Sequence, residues 1–120
     1  MKDLTLTPMK FVNKGWGGEL WVVNRDYCGK VLYFHKDKRL SWHYHIKKEE
    51  VFWLSSGKLR LLYNWDDDIE KAQETLLLPG SHFEIPVGLR HQMIALEDSI
   101  LIEFSTHHED SDSIKVIKGD

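Results

Sequence analysis

The sequence predicts an all-β chain folded as an antiparallel sandwich or barrel, and three observations predict it. Runs rich in Val, Leu, Ile, Phe, Trp and Tyr recur along the chain, about nine or ten in number, with turn residues between them at intervals typical of short antiparallel strands. No long segment carries the 3.6-residue apolar spacing of an amphipathic helix. Finally, the 120 residues are 42% hydrophobic and include five Trp, five Phe and four Tyr, enough to bury a core without disulfide or metal staples.

Taken in order, the first strands are residues 20–23 (Leu-Trp-Val-Val) and 30–35 (Lys-Val-Leu-Tyr-Phe-His), with a turn containing Gly29 between them. Asp37-Lys38 breaks the pattern before a run over 39–45. Residues 51–54 lead into Ser55-Ser56-Gly57, and 58–63 return with alternating character, which reads as a hairpin. Residues 64–68 (Asn-Trp-Asp-Asp-Asp) form a surface loop. They lack the spaced ligands, central Gly and closing Glu of a calcium loop, so they read as a solvated hairpin tip. A short helical stretch is expected over 68–73. Strands then follow at 74–78, ending at Pro79-Gly80, and at 82–85, 92–95 and 99–104. No linker, repeat or low-complexity tract interrupts them. One domain over residues 1–120 is expected, with 1–15 as an N-terminal arm or edge strand.

Charge and composition exclude several roles. The formal net charge is -3 and the pI about 6.1, so no global basic field invites nucleic acid. The stretch Met1-Lys2-Asp3-Leu4-Thr5-Leu6-Thr7-Pro8 lacks the apolar run of a signal peptide, and no stretch approaches the roughly 20 apolar residues of a membrane span. The expectation is a cytoplasmic protein with neither nucleic acid nor membrane as partner. Cys28, alone in the sequence, has no intrachain disulfide partner and reads as a small buried hydrophobe rather than a nucleophile. Exposed strand edges and the aromatic surplus predict a homodimer.

The chemistry is concentrated in two segments. In Ser41-Trp42-His43-Tyr44-His45, the two histidines stand two apart on a strand and share one face. Glu50 lies far enough beyond His45 to come round a bend onto the next strand. The second segment, from Gly80 to His91, carries Pro86 and Gly88 just before His91, as a tight turn opening a strand requires. Three imidazoles (His43, His45, His91) and the Glu50 carboxylate thus form a candidate set for one divalent transition metal: Fe, Mn, Ni, Zn, Co or Cu.

These segments resemble the two motifs of the cupin superfamily, read here as His43-x-His45-x4-Glu50-x6-Gly57 and Gly80-x5-Pro86-x-Gly88-x2-His91. The Asn that usually follows the last His by four residues is replaced by Ala95; it is not a metal ligand, so the departure touches loop anchoring. The resemblance implies a double-stranded β-helix, the jelly-roll single cupin barrel, often dimeric, with metal inside the barrel mouth. A narrower resemblance, to type II mannose-6-phosphate isomerases, rests on Gly15-Trp16-Gly17-Gly18-Glu19, Arg39-Leu40-Ser41, Leu101-Ile102-Glu103-Phe104-Ser105 and Asp110-Ser111-Asp112-Ser113-Ile114. In those proteins the cupin is usually fused to a nucleotidyltransferase, of which this chain has no trace, so guanylyl transfer is not expected.

That resemblance implies a metal-dependent aldose–ketose isomerase acting on a sugar or sugar phosphate. A base must then move a proton between C1 and C2, and Glu103 and His82 are the candidates. Lys48 occupies the place of a basic residue just before the motif glutamate, and Arg90 and Arg39 are further candidates for binding a phosphate or sugar hydroxyls. Trp42 and Trp53 flank the ligand strands as candidate sugar-stacking residues. His107-His108 reads as a surface pair. Two alternatives share the ligand set: an Fe(II)-dependent cupin oxygenase and a non-catalytic sugar-binding metal cupin.

Overall fold

A computed structural model describes residues 10–120 of the chain. Its strands are β1 (Lys10–Lys14), β2 (Gly17–Asn24), β3 (Tyr27–Phe34), β4 (Trp42–His45), β5 (Glu50–Ser56), β6 (Leu59–Asn64), β7 (Gln73–Leu77), β8 (His82–Ile85), β9 (Arg90–Ala95), β10 (Ser99–Thr106) and β11 (Ser113–Ile117). They form two antiparallel sheets, one ordered β1-β2-β3-β10-β5-β8 and the other β11-β4-β9-β6-β7. The all-β jelly roll expected from the sequence is the architecture observed. Of the expected N-terminal arm, residues 1–9 lie outside the described residues, and Lys10–Lys14 is the outermost strand of the six-stranded sheet.

Period-two patterning sets which side chains enter the space between the sheets. On β3, Cys28, Lys30, Leu32 and Phe34 are buried; on β10, Ser99, Leu101 and Glu103; on β5, Glu50, Phe52 and Leu54. The apolar members join Trp16, Leu59, Leu61, Leu77, Ile85, Leu89, Met93 and Ala95 in one core. Burying these side chains contributes about 1.5–3 kcal/mol each, which is what holds the sheets face to face.

Several local expectations change. Residues 51–63 are not a hairpin: β5 pairs with β10 and β8, whereas β6 pairs with β7 and β9 in the other sheet. The chain crosses between sheets at Gly57, whose φ is +92° and whose missing Cβ would sit 2.2 Å from Ser99 Oγ. Gly29 lies within β3 opposite Phe104, and the bend falls at Arg25-Asp26. The helical stretch over 68–73 shrinks to a 3-10 turn, Ile69–Lys71, capped by the Asp68 side chain, and there is no α-helix among the described residues. The run over 39–45 narrows to Trp42–His45, with Arg39 making an isolated bridge to Ile94. Strand β11, unread in the sequence, pairs with β4 and places Lys115 directly opposite His43.

Candidate metal centre

His43 and His45 project inward from β4, Glu50 opens β5, and His91 faces His43 across the β4–β9 ladder. Turn chemistry brings the last of these into place. Gly88, at φ +87°, donates its N–H to the His45 carbonyl at 2.8 Å, so the loop carrying Pro86 is tied to the strand bearing the first two ligands. One ligand atom from each of the three imidazoles lies within 4.8 Å of the others. Glu50 Oε2 is 3.5 Å from His45 Nε2 and 3.3 Å from His91 Nε2.

Hydrogen bonds settle which nitrogen is free. His43 Nδ1 donates to the Ser41 carbonyl at 2.9 Å, His45 Nδ1 to the Asp112 carbonyl at 3.2 Å, and His91 Nδ1 to the Leu89 carbonyl at 2.9 Å. A carbonyl only accepts, so each Nδ1 carries the proton and each Nε2 presents a lone pair, the arrangement that orients metal-binding imidazoles. Burial, then the neighbouring His91 and His45, hold His43 well below the usual histidine range, so it stays neutral. Among the described residues, His45 Nε2, His91 Nε2 and Glu50 Oε2 are buried without a hydrogen-bond partner. Three acceptor atoms buried face to face repel unless a cation lies between them. The donor set therefore fits a divalent metal: His43, His45 and His91 form a cluster able to hold one, with Glu50 beside them.

Around the ligands runs an ionic network that sequence reading found only in part. The Lys48 ammonium lies 2.9 Å from Glu50 Oε1, 3.2 Å from Glu103 Oε2 and 2.9 Å from His108 Nδ1, so its three protons have three acceptors. Burial pushes Lys48 down, but Glu50 and Glu103 outweigh it and raise its pKa. Burial alone would raise Glu50, yet the Lys48 ammonium on its Oε1 holds it well below the carboxylate range. Glu103 goes the other way: burial and then the Glu50 charge push it up to about 7. Its Oε2 takes hydrogen bonds from both Lys48 and Ser105, whereas Oε1 has none among the described residues.

Asp112 organises the loop between His45 and Glu50. Its carboxylate accepts the backbone N–H groups of Ile46, Lys47 and Lys48, each at 3.0 Å, which outweigh burial and keep it below its ordinary range. Lys30, bonded to Glu19 at 3.1 Å, is nearly fully buried on β3. Neither carries a local signal: an inward Lys on a strand looks like an exposed one until its ladder partner is known.

The groups enclose a cavity of about 360 Å³ that holds His43, His45, Lys48, Glu50, His91 and Glu103 in its walls. Other expected site residues are placed elsewhere. His82 is exposed on β8 opposite Trp53, and both point to the outer face of the six-stranded sheet, where Trp53 is 41% exposed. Trp42, fully buried, alternates away from His43 and donates its indole N–H to the Asp67 carbonyl; Trp16 lines the cavity instead. Arg90 also points outward, stacked 3.6 Å from the Tyr44 ring centroid and bonded to Asp67 at 2.9 Å. Arg39 is exposed and outside the cavity walls. His108 is not a surface residue: it is 9% exposed and clamped between Lys48 and Asp110, while His107 is exposed. Burial raises the Cys28 thiol, leaving it protonated within the sandwich.

No protein-family model matches the chain, and neither does any curated protein. Solved structures do. The capsular polysaccharide assembling protein CapF from Staphylococcus aureus superimposes with a TM-score of 0.81 at 19% identity over 93% of this chain and 33% of its own. A mutant of the Bacillus subtilis oxalate decarboxylase OxdC gives 0.77 at 15% identity over 89% of this chain and 30% of its own. KdgF from Halomonas sp. gives 0.72 at 18% identity, over 91% of this chain and 95% of its own. The chain thus spans about a third of CapF and OxdC and nearly all of KdgF. These are cupin-fold proteins, and at such identities the likeness establishes the cupin fold.

Proposed function

We propose that this chain is a metal-dependent aldose–ketose isomerase acting on a sugar or sugar phosphate of the mannose 6-phosphate kind. The observation that carries the reading is Glu103: a carboxyl outside the ligand cluster, in the cavity wall, with one oxygen anchored and the other free. A pKa of about 7 lets it accept a proton and return it at neutral pH. Oε1 takes the proton from C2, next to the aldehyde carbon, and delivers it to C1. The hydroxyl proton passes from O2 to O1 through solvent, leaving a hydroxyl on C1 and the carbonyl at C2. Lys48 and Ser105, both bonded to Oε2, hold the carboxyl in one orientation through both transfers. A divalent metal on His43, His45, His91 and Glu50 would supply Lewis-acid polarisation of the substrate oxygens. The cavity's polar walls suit a hydroxylated ligand, and CapF, a capsular polysaccharide assembling protein, shares the fold.

Exchange of the C2 proton tests this. The protein is loaded in turn with Mn, Fe, Ni, Co, Cu and Zn and incubated with mannose 6-phosphate in deuterated water, and label at C2 is followed by NMR. Exchange that E103Q abolishes while metal content holds supports the assignment. Absence of exchange with every metal overturns it, and saturable binding without exchange would return the chain to the non-catalytic sugar-binding class.

The same proposal includes a cytoplasmic homodimer. Its support is an apolar row on the outer face of the six-stranded sheet, Phe11, Leu20, Val31, Ile102 and Trp53, in register across five strands. A second copy laid on this row would cover Phe11 and Trp53, 51% and 41% exposed. Sedimentation of a monomer at every concentration would remove it.

A further inference from the structure

We infer that the outer end of the cavity is an anion-binding cradle formed by Lys115 and Lys118 with Lys14, which receives a phosphate or carboxylate carried by the ligand. The inference rests on the metal-centred reading above and extends it to the lysines at the cavity rim.

Register places the first of these lysines. Ser113 pairs with His45, Ile114 with Tyr44 and Lys115 with His43, so β11 turns Ser113 and Lys115 toward the cavity and Ile114 away. Directly opposed residues in an antiparallel ladder have Cβ atoms about 5 Å apart, so Lys115 springs from beside a metal ligand. Lys118 belongs to a segment pressed onto the chain before β4. Asp120 accepts the Arg39 N–H at 2.8 Å and returns its own N–H to the Arg39 carbonyl at 3.1 Å. Gly119 passes so close that a Cβ would sit 2.4 Å from Ser41 N, and a Cβ at Gly15, next to Lys14, would sit 2.5 Å from the Asp120 carbonyl carbon. Those two contacts bring Lys14 and Lys118 to the same rim.

Electrostatics says what the rim awaits. Lys14, Lys30, Lys48, Lys115 and Lys118 line the cavity against Glu19, Glu50, Glu103, Asp110 and Asp120, which balance in formal charge. The carboxylates are largely committed. Glu19 bonds Lys30 and lies 4.0 Å from Lys14, Glu50 and Glu103 hold Lys48, Asp110 holds His108, and Asp120 takes the Arg39 N–H. Lys115 and Lys118 have no carboxylate within 4.0 Å among the described residues. A divalent metal adds two positive charges to a balanced cavity, and like charges sharing a site repel unless an anion intervenes. An anionic ligand meets the metal with its oxygens and the lysines with its charged group. Lys48, Arg90 and Arg39 cannot serve: the first is saturated, and the other two lie outside the cavity walls.

The test is calorimetric titration of the Mn-loaded protein with mannose 6-phosphate, mannonate and mannose, beside a K115A/K118A double variant and K115R. Expected is tighter binding of the two anions than of mannose, a loss of about tenfold or more for the anions in the double variant, unchanged mannose affinity, and recovery in K115R. The anion that loses more affinity identifies phosphate or carboxylate as the natural group. Equal affinities for all three ligands in the parent protein, or anion affinities untouched in a double variant of unchanged metal content, would overturn the cradle. The two proposals fail separately. Lys115-dependent binding without C2 exchange removes the isomerase and keeps the cradle, whereas C2 exchange whose KM is indifferent to K115A/K118A removes the cradle and keeps the isomerase.

Discussion

Two neighbouring rows of side chains between the sheets, only two residues apart along the same strands, have opposite chemistry. In one, Leu32, Leu101 and Leu54 stand side by side across β3, β10 and β5, facing Leu61 and Met93 of the other sheet. In the next, some 7 Å along the strands, stand Lys30, Glu103 and Phe52, facing Tyr63, His91 and His43. Both rows are inward by the same pleat. The apolar row is held by burial of surface and tolerates no void. The ionic row pays a desolvation cost that pairing only partly offsets. Burial therefore means stability in one row, and in the other, where Lys48 meets Glu103, the shifted proton affinities of both, on which the proposed proton transfer rests.

The largest expected break in that comparison comes from E103Q. It keeps the shape of the ionic row but removes the carboxylate, so turnover should fall about 10²–10⁴-fold. Steady-state kinetics, with metal content and circular dichroism as controls, would measure it, and a change under tenfold would take Glu103 out of the proton path. Leu101→Ala, one row away, should instead cost about 2–5 kcal/mol in urea unfolding with metal stoichiometry kept. Equal damage to metal binding would mean the rows are not independent.

Asp112→Ala sharpens the contrast from outside both rows. It strips the acceptor from three N–H groups in the loop between His45 and Glu50, for a loss of about 1–3 kcal/mol. Metal affinity should weaken about 10–100-fold, readable by competition with a chelator, because that loop sets Glu50 against the imidazoles. Unchanged affinity would show that the ligands hold their places without it.

The smallest effect is a pH dependence in metal-free protein. Glu103, raised to about 7 from an unfolded value of about 4.3, binds its proton more tightly when folded. Its contribution is complete below the unfolded value and is lost as pH rises through 7. His108, lowered to about 4 by burial and then Lys48 and Lys30 from about 6.5, works in the opposite sense, with stability lost as pH falls through 4. Between pH 4.5 and 6.5 the Glu103 slope opposes that of His108 and that of His43, which burial also holds well below its ordinary range. Tm should rise gently with pH there in the parent protein, rise more steeply in E103Q and stay nearly flat in H108Q. Parallel profiles in all three proteins would refute the linkage.

The all-β class and the grouping of His43, His45, Glu50 and His91 were legible because each rests on local spacing, whereas the jelly roll followed from the cupin resemblance. A two-residue period puts both histidines of β4 on one face, and Gly88 marks the turn before His91 wherever that turn lands. What spacing could not reveal was partnership. Residues 51–63 carry hairpin chemistry, yet Gly57 sends the chain to the other sheet because Ser99, remote in sequence, occupies the space a side chain would need. Trp42 and His43 are adjacent, but the pleat aims one at the cavity and the other away, and Arg90 likewise turns out to Tyr44 and Asp67. Lys30, Lys48, His108 and Asp112 look like solvated surface residues in isolation; their burial follows from which strands pair. The sequence by itself determined the class of fold and the ligand types, since these depend on neighbours along the chain. Tertiary structure alone decided which charges share a cavity, because electrostatic energy depends on distance in space, and the ladders bring together residues tens of positions apart.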